Sequence, residues 1–538
     1  MLISVLRKYR PLWLILSGLL LGLTLIFPAV GILEWIALVP AFAVMLDMAA
    51  DREVKYKRLY WHSFLLFEVF YLIVFHWFFY MYPLDFTGMS REASAVVVCV
   101  AWLGLSTFQA LGAAFILPVA ALAIRGKGIA ERRFLHVIIL SAAWTFFEWF
   151  QANSGWMGVP WGRLPLGQAE LEIMLQSSSL IGSYFVTFLL LAVNGILAYI
   201  LLEPSKKLFA GILAGALFVS NLAIGGICLL NYEDEGEPLT VAIIQGNVSS
   251  HDPWAQGSLE QAKEVYRKYS LEAADEGAEL IIWPETAFPY NIDRYYDLEI
   301  YICNLARECD ATILASVFTE NEERDPKKLY NSMIAVDNHG MINETVYSKR
   351  NLVPFGEFVP WRGVIMRLIP PLAELGMLEE DLLIGKESYV FDLDGKLEGV
   401  KVGSLICFDS IYEQNSLESV ANGAQLLSVS TNDSWFLDSA AAYMHNEQSC
   451  LRAIETGRYV VRAANTGVST IITPTGEVTE LLEPLVEGYI MGEVYLSDRT
   501  TLYSSIGDVF VYLCTAFVGA TLLLRPISYL KYRRKTQI

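Results

Sequence analysis

The sequence predicts an α-helical polytopic membrane bundle of about eight spans joined to a layered α/β domain. Three observations predict it. Apolar residues make up 54% of the 538 positions and charged residues only 18%, fewer than the roughly one quarter that ordinary soluble domains carry. The charge is also segregated. Residues 231–505 hold 45 Asp+Glu and 19 Lys+Arg, a balance of −26, whereas the rest holds 13 and 20, a balance of +7. Finally, within 231–505 β-branched runs alternate with helical ones, the pattern of sheets covered by helices. The apolar excess excludes a purely soluble or disordered chain, and the net −19 argues against a nucleic-acid binder, which needs a basic surface.

A bilayer-spanning helix needs about 20 mostly apolar residues. Candidate spans are 11–29, 30–47, 60–82, 92–123, 134–150, 178–202, 208–230 and 506–525. Pro28 and Gly31 punctuate the first pair into a helical hairpin, and the long 92–123 run is expected to tilt or break near Pro118. Arg7, Lys8 and Arg10 before an apolar run imitate a signal peptide. The second apolar run that follows at once, and the lack of a clear cleavage site, favour a retained anchor.

Basic residues mark alternate loops: Arg52, Lys55, Lys57 and Arg58; Arg125, Lys127, Arg132 and Arg133; Lys206 and Lys207; and Arg525, Lys531, Arg533, Arg534 and Lys535 in the tail. The intervening loops 83–91 and 151–177 hold one arginine each, Arg91 and Arg163. By the positive-inside rule both termini are cytoplasmic and the acidic block is extracytoplasmic. The expected domains are a transmembrane bundle over 1–230, a catalytic domain over 231–505, and a last helix with a basic tail over 506–538.

The acidic block reads as strands at Leu239–Gln245, Leu280–Trp283, Ala311–Phe318, Asn331–Val336, Met341–Tyr347, Val402–Ile406, Leu426–Ser430, Tyr459–Ala463 and Val468–Ile472. Helical runs fall at 257–278, 295–309 and 440–456. The Asp337–Gly340 segment is a hairpin signal, and Pro474-Thr475-Gly476 is a turn. The seven cysteines are too few and scattered for a disulfide scaffold. Cys303 and Cys309 lie six apart on a predicted helix and do not share a face, so a bond between them requires the segment to bend. No spacing suggests a metal site, and no cofactor is implied.

Three strand ends carry residues suited to chemistry. Pro284 ends a ladder, so Glu285 projects from a sheet edge, where partial desolvation raises a carboxyl toward base work; alone, it reads more simply as a surface-turn glutamate. Lys349, after the hairpin, is of the type that stabilises an oxyanion, with Glu357 placed to hold it or the substrate; equally, this is a basic loop with a solvated turn residue. Cys407 stands at a strand-to-loop turn, where a nearby cation or helix N-terminus lowers a thiol toward thiolate; an isolated cysteine is more often a buried structural residue.

Together, the order Glu285, Lys349, Cys407, each at a strand end, resembles the carbon–nitrogen hydrolase (nitrilase) superfamily. The stretches WPETAFP (283–289), KRNLVPFGEFVP (349–360) and NDSWF (432–436), with Gln245-Gly246-Asn247, Trp254 and Gly158-Val159-Pro160-Trp161, make the whole chain resemble the apolipoprotein N-acyltransferase family of the bacterial inner membrane. The resemblance implies an αββα sandwich over about 239–498, with Glu285 as general base, Lys349 as oxyanion stabiliser and Cys407 as nucleophile. It makes Glu357 a second essential glutamate and Trp254 a substrate-side aromatic. It implies a phospholipid acyl donor, a diacylated apolipoprotein acceptor and a thioester intermediate. Phe408 and Asp409 stand where that family usually has Tyr and Glu, which keeps an aromatic and a carboxylate but loses a hydroxyl and a methylene beside Cys407.

His445, Arg452, Glu455 and Arg458 read as salt-bridge partners or sandwich lining. His76, Glu68 and Glu148, inside spans, read as satisfied bundle residues, although intramembrane ionisable groups can be functional. The segment Val359–Leu378 reads either as a membrane-facing lid or as a packed loop. Two other functions compete with acyl transfer: a membrane-tethered amidase or nitrilase using water, and a transporter with a degenerate outer domain. Against the transporter, no internal repeat or pair of broken helices stands out.

The loop charges make a direct prediction. In single-cysteine variants of intact cells, a reporter at Gly257 is labelled by membrane-impermeant thiol reagents and one at Thr536 is protected; the reverse pattern contradicts the topology.

Overall fold

The structure is a computed structural model. It describes all residues except 1, 85–87, 127–128, 249–257, 322–324, 326–327, 369–379 and 536–538. The chain forms two compact units, residues 1–79, 97–231 and 505–538 in one, and residues 80–96 and 232–504 in the other.

The first unit is helical. Among the described residues, six helical segments are long and apolar enough to cross a membrane: Pro28–Ala50, Tyr56–Met81, Arg91–Ile124, Arg133–Ala152, Ser183–Leu202 and Pro204–Leu230. Arg10–Ile26 is a shorter apolar helix, and the last helix, Val509–Lys535, opens with the apolar stretch Val509–Leu523. The long fourth candidate breaks between Ala113 and Ile116. Pro118 explains the position, because its ring has no N–H and clashes with the carbonyl four residues earlier. Several polar side chains inside this unit are joined to neighbouring groups. Asn194 donates to the carbonyls of Glu34 and Leu190, both at 2.9 Å, and Arg125 donates to those of Met48 and Ala49. Glu68 accepts from Thr107, Glu148 from Thr187, and His76 bonds the Ile73 carbonyl.

Among its described residues the second unit contains twelve strands: β1 (Glu237–Gln245), β2 (Leu280–Ile282), β3 (Thr312–Glu320), β4 (Leu329–Val336), β5 (Ile342–Ser348), β6 (Val390–Asp392), β7 (Lys401–Ile406), β8 (Leu426–Thr431), β9 (Val460–Ala464), β10 (Ser469–Ile472), β11 (Val478–Leu482) and β12 (Gly488–Leu496). They form two six-stranded sheets, ordered β12-β1-β2-β3-β4-β5 and β11-β10-β9-β8-β7-β6. Each sheet has three parallel strands at its centre, β1-β2-β3 and β7-β8-β9, with antiparallel strands beyond. Those central strands are buried along nearly their whole length, as continuous apolar runs with helices outside require.

The helices Ser258–Asp275 and Tyr296–Cys309 lay Ala262, Tyr266, Leu298, Ile302 and Leu305 on the first sheet. The helix Ala440–Thr456 packs Cys450 and Ala453 on the second. Between the sheets, Ser430 Oγ donates to the Trp283 carbonyl at 2.9 Å. This is the expected sandwich of two sheets with helices outside. The short strands β6 and β11, the longer but only partly buried β12, and the helix Glu413–Ala421 were not legible from the sequence. Cys303 and Cys309 remain unpaired thiols on one regular helix, which does not bend between them.

The end of β5 is fixed by the segment around Gly385, whose N–H donates to the Lys349 carbonyl at 2.8 Å. A Cβ on Gly385 would lie 2.0 Å from the Ser348 carbonyl oxygen, closer than any side chain tolerates. Gly385→Ala is therefore expected to push this segment off the strand end and cost about 1–3 kcal/mol, as overpacking does. Thermal unfolding in detergent checks it, and an unchanged midpoint contradicts the packing.

Candidate active site

Glu285, Lys349 and Cys407 each follow the end of a strand. β2 ends at Ile282, and the Trp283 N–H still reaches the Leu314 carbonyl at 3.0 Å. Pro284 cannot continue the ladder, and Glu285 turns inward, 4% exposed. One oxygen of Glu285 accepts from Lys349 Nζ at 2.8 Å and from Asn331 Nδ2 at 2.7 Å. The other accepts the Asn432 backbone N–H at 2.9 Å.

Lys349 follows β5, and its own N–H donates to the Asn331 carbonyl at 2.8 Å. Its ammonium is buried. Two of its three donors go to carboxylates, Glu285 at 2.8 Å and Glu357 at 2.9 Å. Glu357 comes from a tight turn in which Phe355 takes a left-handed φ of 64°. Glu357 is itself held by the Val353 N–H at 2.8 Å and by Asn331 Nδ2 at 3.1 Å. Asn331 thus joins the two carboxylates with one amide group.

Cys407 stands at the end of β7 with φ 49°, opening a short 3-10 turn over Cys407–Ile411. It lies within the electrostatic reach of Glu285 and Lys349, and its thiol is hydrogen-bonded to Thr431. The side chain of Asp409 explains how this turn stays beside Lys349. It accepts the N–H of Ile406 at 3.2 Å, the N–H groups of Arg350 and Asn351 at 3.2 and 2.8 Å, and the Tyr347 hydroxyl at 2.8 Å. One carboxylate therefore ties the chain after β5 to the chain after β7. Phe408 is buried in the same turn. Trp254 lies outside the described residues, as does the 369–378 part of the suggested lid.

The electrostatics favour proton transfer over a standing thiolate. Burial pushes the Cys407 thiol well up, Glu285 adds to this, and Lys349 opposes it without reversing it. The expectation of a lowered thiol is corrected: burial, with Glu285 and Asp433 adding to it, outweighs Lys349 and favours the protonated thiol. Burial also raises Glu285, against the pull of Lys349 and with the push of Glu357. For Lys349, burial works toward the neutral amine, but Glu285 and Glu357 together hold it firmly as an ammonium. Asp409 is raised to about 6, chiefly by burial. Asp433 is lowered to about 2: burial opposes ionisation, and His445 and Arg462 outweigh it.

The site thus joins Glu285, Lys349, Glu357 and Cys407 and sets Asp409 behind them. Sequence reasoning missed Asn331 and Thr431; the signal for Asn331 was an amide opening an otherwise apolar strand. Arg452 pairs with Glu455 at 2.6 Å and with Glu413 at 3.6 Å. Arg458 donates to backbone carbonyls, including that of Ala424 at 2.7 Å. Among the described residues no group of three His, Cys, Asp or Glu side chains is arranged to hold a metal ion.

Residues 240–503 match the carbon-nitrogen hydrolase family model, and residues 17–196 match the apolipoprotein N-acyltransferase N-terminal domain. An apolipoprotein N-acyltransferase from Gloeobacter violaceus is 31% identical, with 93% of this chain and 91% of that one covered. One from Geobacter metallireducens is 30% identical, with coverages of 97% and 95%. An amidase mutant of the nitrilase superfamily from Nesterenkonia AN1 superimposes with TM-score 0.39 at 17% identity, covering 52% of this chain and 97% of that one.

The carboxylate cluster makes a stability prediction. Asn331→Asp sets a third carboxyl against Glu285 and Glu357, so like charge and burial raise its folded pKa above the unfolded value of about 3.9. The folded state then binds more protons than the unfolded state, and this term weakens folding as pH rises from about 4 through the raised pKa. Asn331→Asp is expected to be clearly less stable than the native chain at pH 8 and nearer to it at pH 5. A difference in thermal midpoint that does not vary with pH contradicts the arrangement.

Proposed function

The chain belongs to the apolipoprotein N-acyltransferase family, and from that premise we propose that it transfers a fatty acyl group from a phospholipid, through a thioester on Cys407, to the N-terminal amine of a diacylglyceryl-cysteine on an apolipoprotein. The observation that carries the mechanism is the buried Lys349 ammonium, held by Glu285 and Glu357 within the electrostatic reach of the Cys407 thiol.

Glu285 takes the thiol proton as sulfur attacks the carbonyl carbon of the phospholipid ester. Lys349, with the backbone N–H after the cysteine, stabilises the oxyanion of the tetrahedral intermediate. The intermediate collapses, the C–O bond breaks, and Glu285 returns the proton to the departing lysophospholipid oxygen. In the second half the neutral amine attacks the thioester carbon and gives its proton to Glu285. The C–S bond breaks, and the released sulfur regains that proton. Ester and amine become amide and alcohol, and the enzyme returns to its starting state. A neutral resting thiol suits this sequence, because sulfur becomes nucleophilic only when a substrate carbonyl and the base are both in place. Glu357 and Asn331 keep Glu285 and Lys349 in register, and Trp254 is assigned to the substrate side.

Both proposed substrates are membrane-held, which gives a physical reason for fusing the enzyme to apolar helices. The same reasoning puts the protein in the bacterial inner membrane with the catalytic domain on the extracytoplasmic side. The alternative, a membrane-tethered amidase using water, shares the triad and differs in what discharges the thioester. Purified enzyme given phospholipid with and without a diacylated lipopeptide separates them. Acyl transfer predicts N-acylated lipopeptide and little free fatty acid, and no product from Cys407→Ala. Fatty acid release at the same rate with or without the amine contradicts it.

Lys349→Ala is expected to lose about 10²–10³ in rate, the usual cost of one oxyanion-stabilising group. Lys349→Arg is expected to fail too, since a planar guanidinium does not fit a cleft built for a compact ammonium. Native single-turnover rates in either variant remove Lys349 from the reaction.

A further inference from the structure

Behind Cys407 runs a second chain of polar side chains that the mechanism above does not use. The Cys407 carbonyl oxygen accepts the Ser410 hydroxyl at 2.7 Å. Ser410 Oγ lies 3.2 Å from His445 Nε2, and that nitrogen is 3.4 Å from the Cys407 carbonyl oxygen. His445 Nδ1 lies 2.8 Å from Asp433 Oδ1. Asp433 also takes Arg462 Nη2 at 2.7 Å and the Thr431 hydroxyl at 3.0 Å. Ser410 and His445 are both 0% exposed and Asp433 is 1% exposed.

A hydroxyl, an imidazole and a carboxylate in this order resemble the parts of a serine nucleophile, but here the hydroxyl is sealed from substrate and engaged by the main chain. What it touches is the backbone of the residue that carries the thiol. Cys407 has φ 49°, a left-handed conformation that a residue with a Cβ keeps only where its surroundings over-determine it. Before Cys407, the strand β7 and the Asp409 carboxylate fix the chain. After it, the carbonyl is fixed by Ser410. Ser410 belongs to the same short turn and cannot anchor that turn alone. Its hydroxyl is oriented by His445, which projects from the long helix Ala440–Thr456, and His445 is oriented in turn by Asp433 after β8, itself held by Arg462 on β9.

We propose that Asp433, His445 and Ser410 form a positioning chain that locks the Cys407 backbone in its left-handed turn and so aims the thiol at the substrate carbonyl. The ionised Asp433 keeps a proton on Nδ1, leaving Nε2 to meet the Ser410 hydroxyl as an acceptor. The hydroxyl proton then lies between Nε2 and the Cys407 carbonyl oxygen, nearer the oxygen. None of the three residues touches substrate. They act through Cys407, whose displacement by about 1 Å is enough to cost on the order of a hundredfold in rate.

The inference rests on Cys407 as nucleophile, and its test keeps the two ideas apart. Full-length Ser410→Ala, His445→Asn and His445→Gln are purified, and single-turnover acylation of Cys407 is followed by mass in phosphatidylethanolamine–phosphatidylglycerol micelles, per folded molecule. Asn keeps the bond to Asp433 but does not reach Ser410; Gln reaches Ser410. Ser410→Ala and His445→Asn are expected to acylate Cys407 about ten- to a hundredfold more slowly at an unchanged half-saturating lipid concentration. His445→Gln is expected to recover most of the rate. The Ser410→Ala/His445→Asn double variant is expected to be no slower than the worse single one, since one chain is broken once. Rates within twofold of native in both single variants, losses that multiply in the double variant, or His445→Gln as slow as His445→Asn overturn the proposal. So does a loss explained wholly by fewer folded molecules. Undiminished product from Cys407→Ala would instead sink the assignment of the nucleophile.

Discussion

One buried ammonium organises the catalytic unit. Lys349 lies within 2.9 Å of two carboxylates, Glu285 and Glu357, in a site from which water is largely excluded. Burying three charges costs several kcal/mol per ion before any pairing is counted, so the arrangement persists only because every charge is also hydrogen-bonded to the scaffold. Asn331 bridges the carboxylates, Asn432 and Val353 donate backbone N–H groups to them, and the Lys349 main chain is pinned to β4 and to Gly385. The same burial, with Glu285 beside the sulfur, favours the protonated Cys407 thiol over a standing thiolate.

Asp409 extends the same constraint to the nucleophile. By gathering N–H groups from both strand ends and the Tyr347 hydroxyl, it couples the position of the lysine to that of the cysteine. The Asp409 carboxylate is long enough for this connection, because four donors from two segments converge on it. The phenyl ring of Phe408 keeps the turn buried without a hydroxyl.

The strands were legible because their β-branched runs are long and end at Gly, Pro or turn residues; β1, β3, β8 and β9 lie within a few residues of their expected limits. Glu285, Lys349 and Cys407 were legible as residues of the right chemistry at strand ends, and quoted motifs made them one constellation. What was not legible depends on contacts distant in sequence. Asn331 matters because β4 sets it between a glutamate 46 residues earlier and one 26 residues later. His445 looked like lining because nothing in its helix reveals Asp433 on one side and Ser410 on the other. The direction of the thiol's titration was misread for the same reason: a neighbouring lysine was visible, and the burial of the sulfur and the nearness of Glu285 were not. In the helical unit, Pro118 announced the break in its helix, whereas the number of crossings rests on lengths that Arg10–Ile26 falls short of.

The account stands or falls on where the acyl group rests between donor and acceptor. Intact and peptide mass after exposure of the purified chain to phospholipid, with no amine present, measures this most directly. The account predicts one added fatty acyl group on the peptide containing Cys407, removed by hydroxylamine and discharged by a diacylated lipopeptide with a free N-terminal amine. An acyl group on any other residue, or N-acylated product formed by Cys407→Ala, would contradict it.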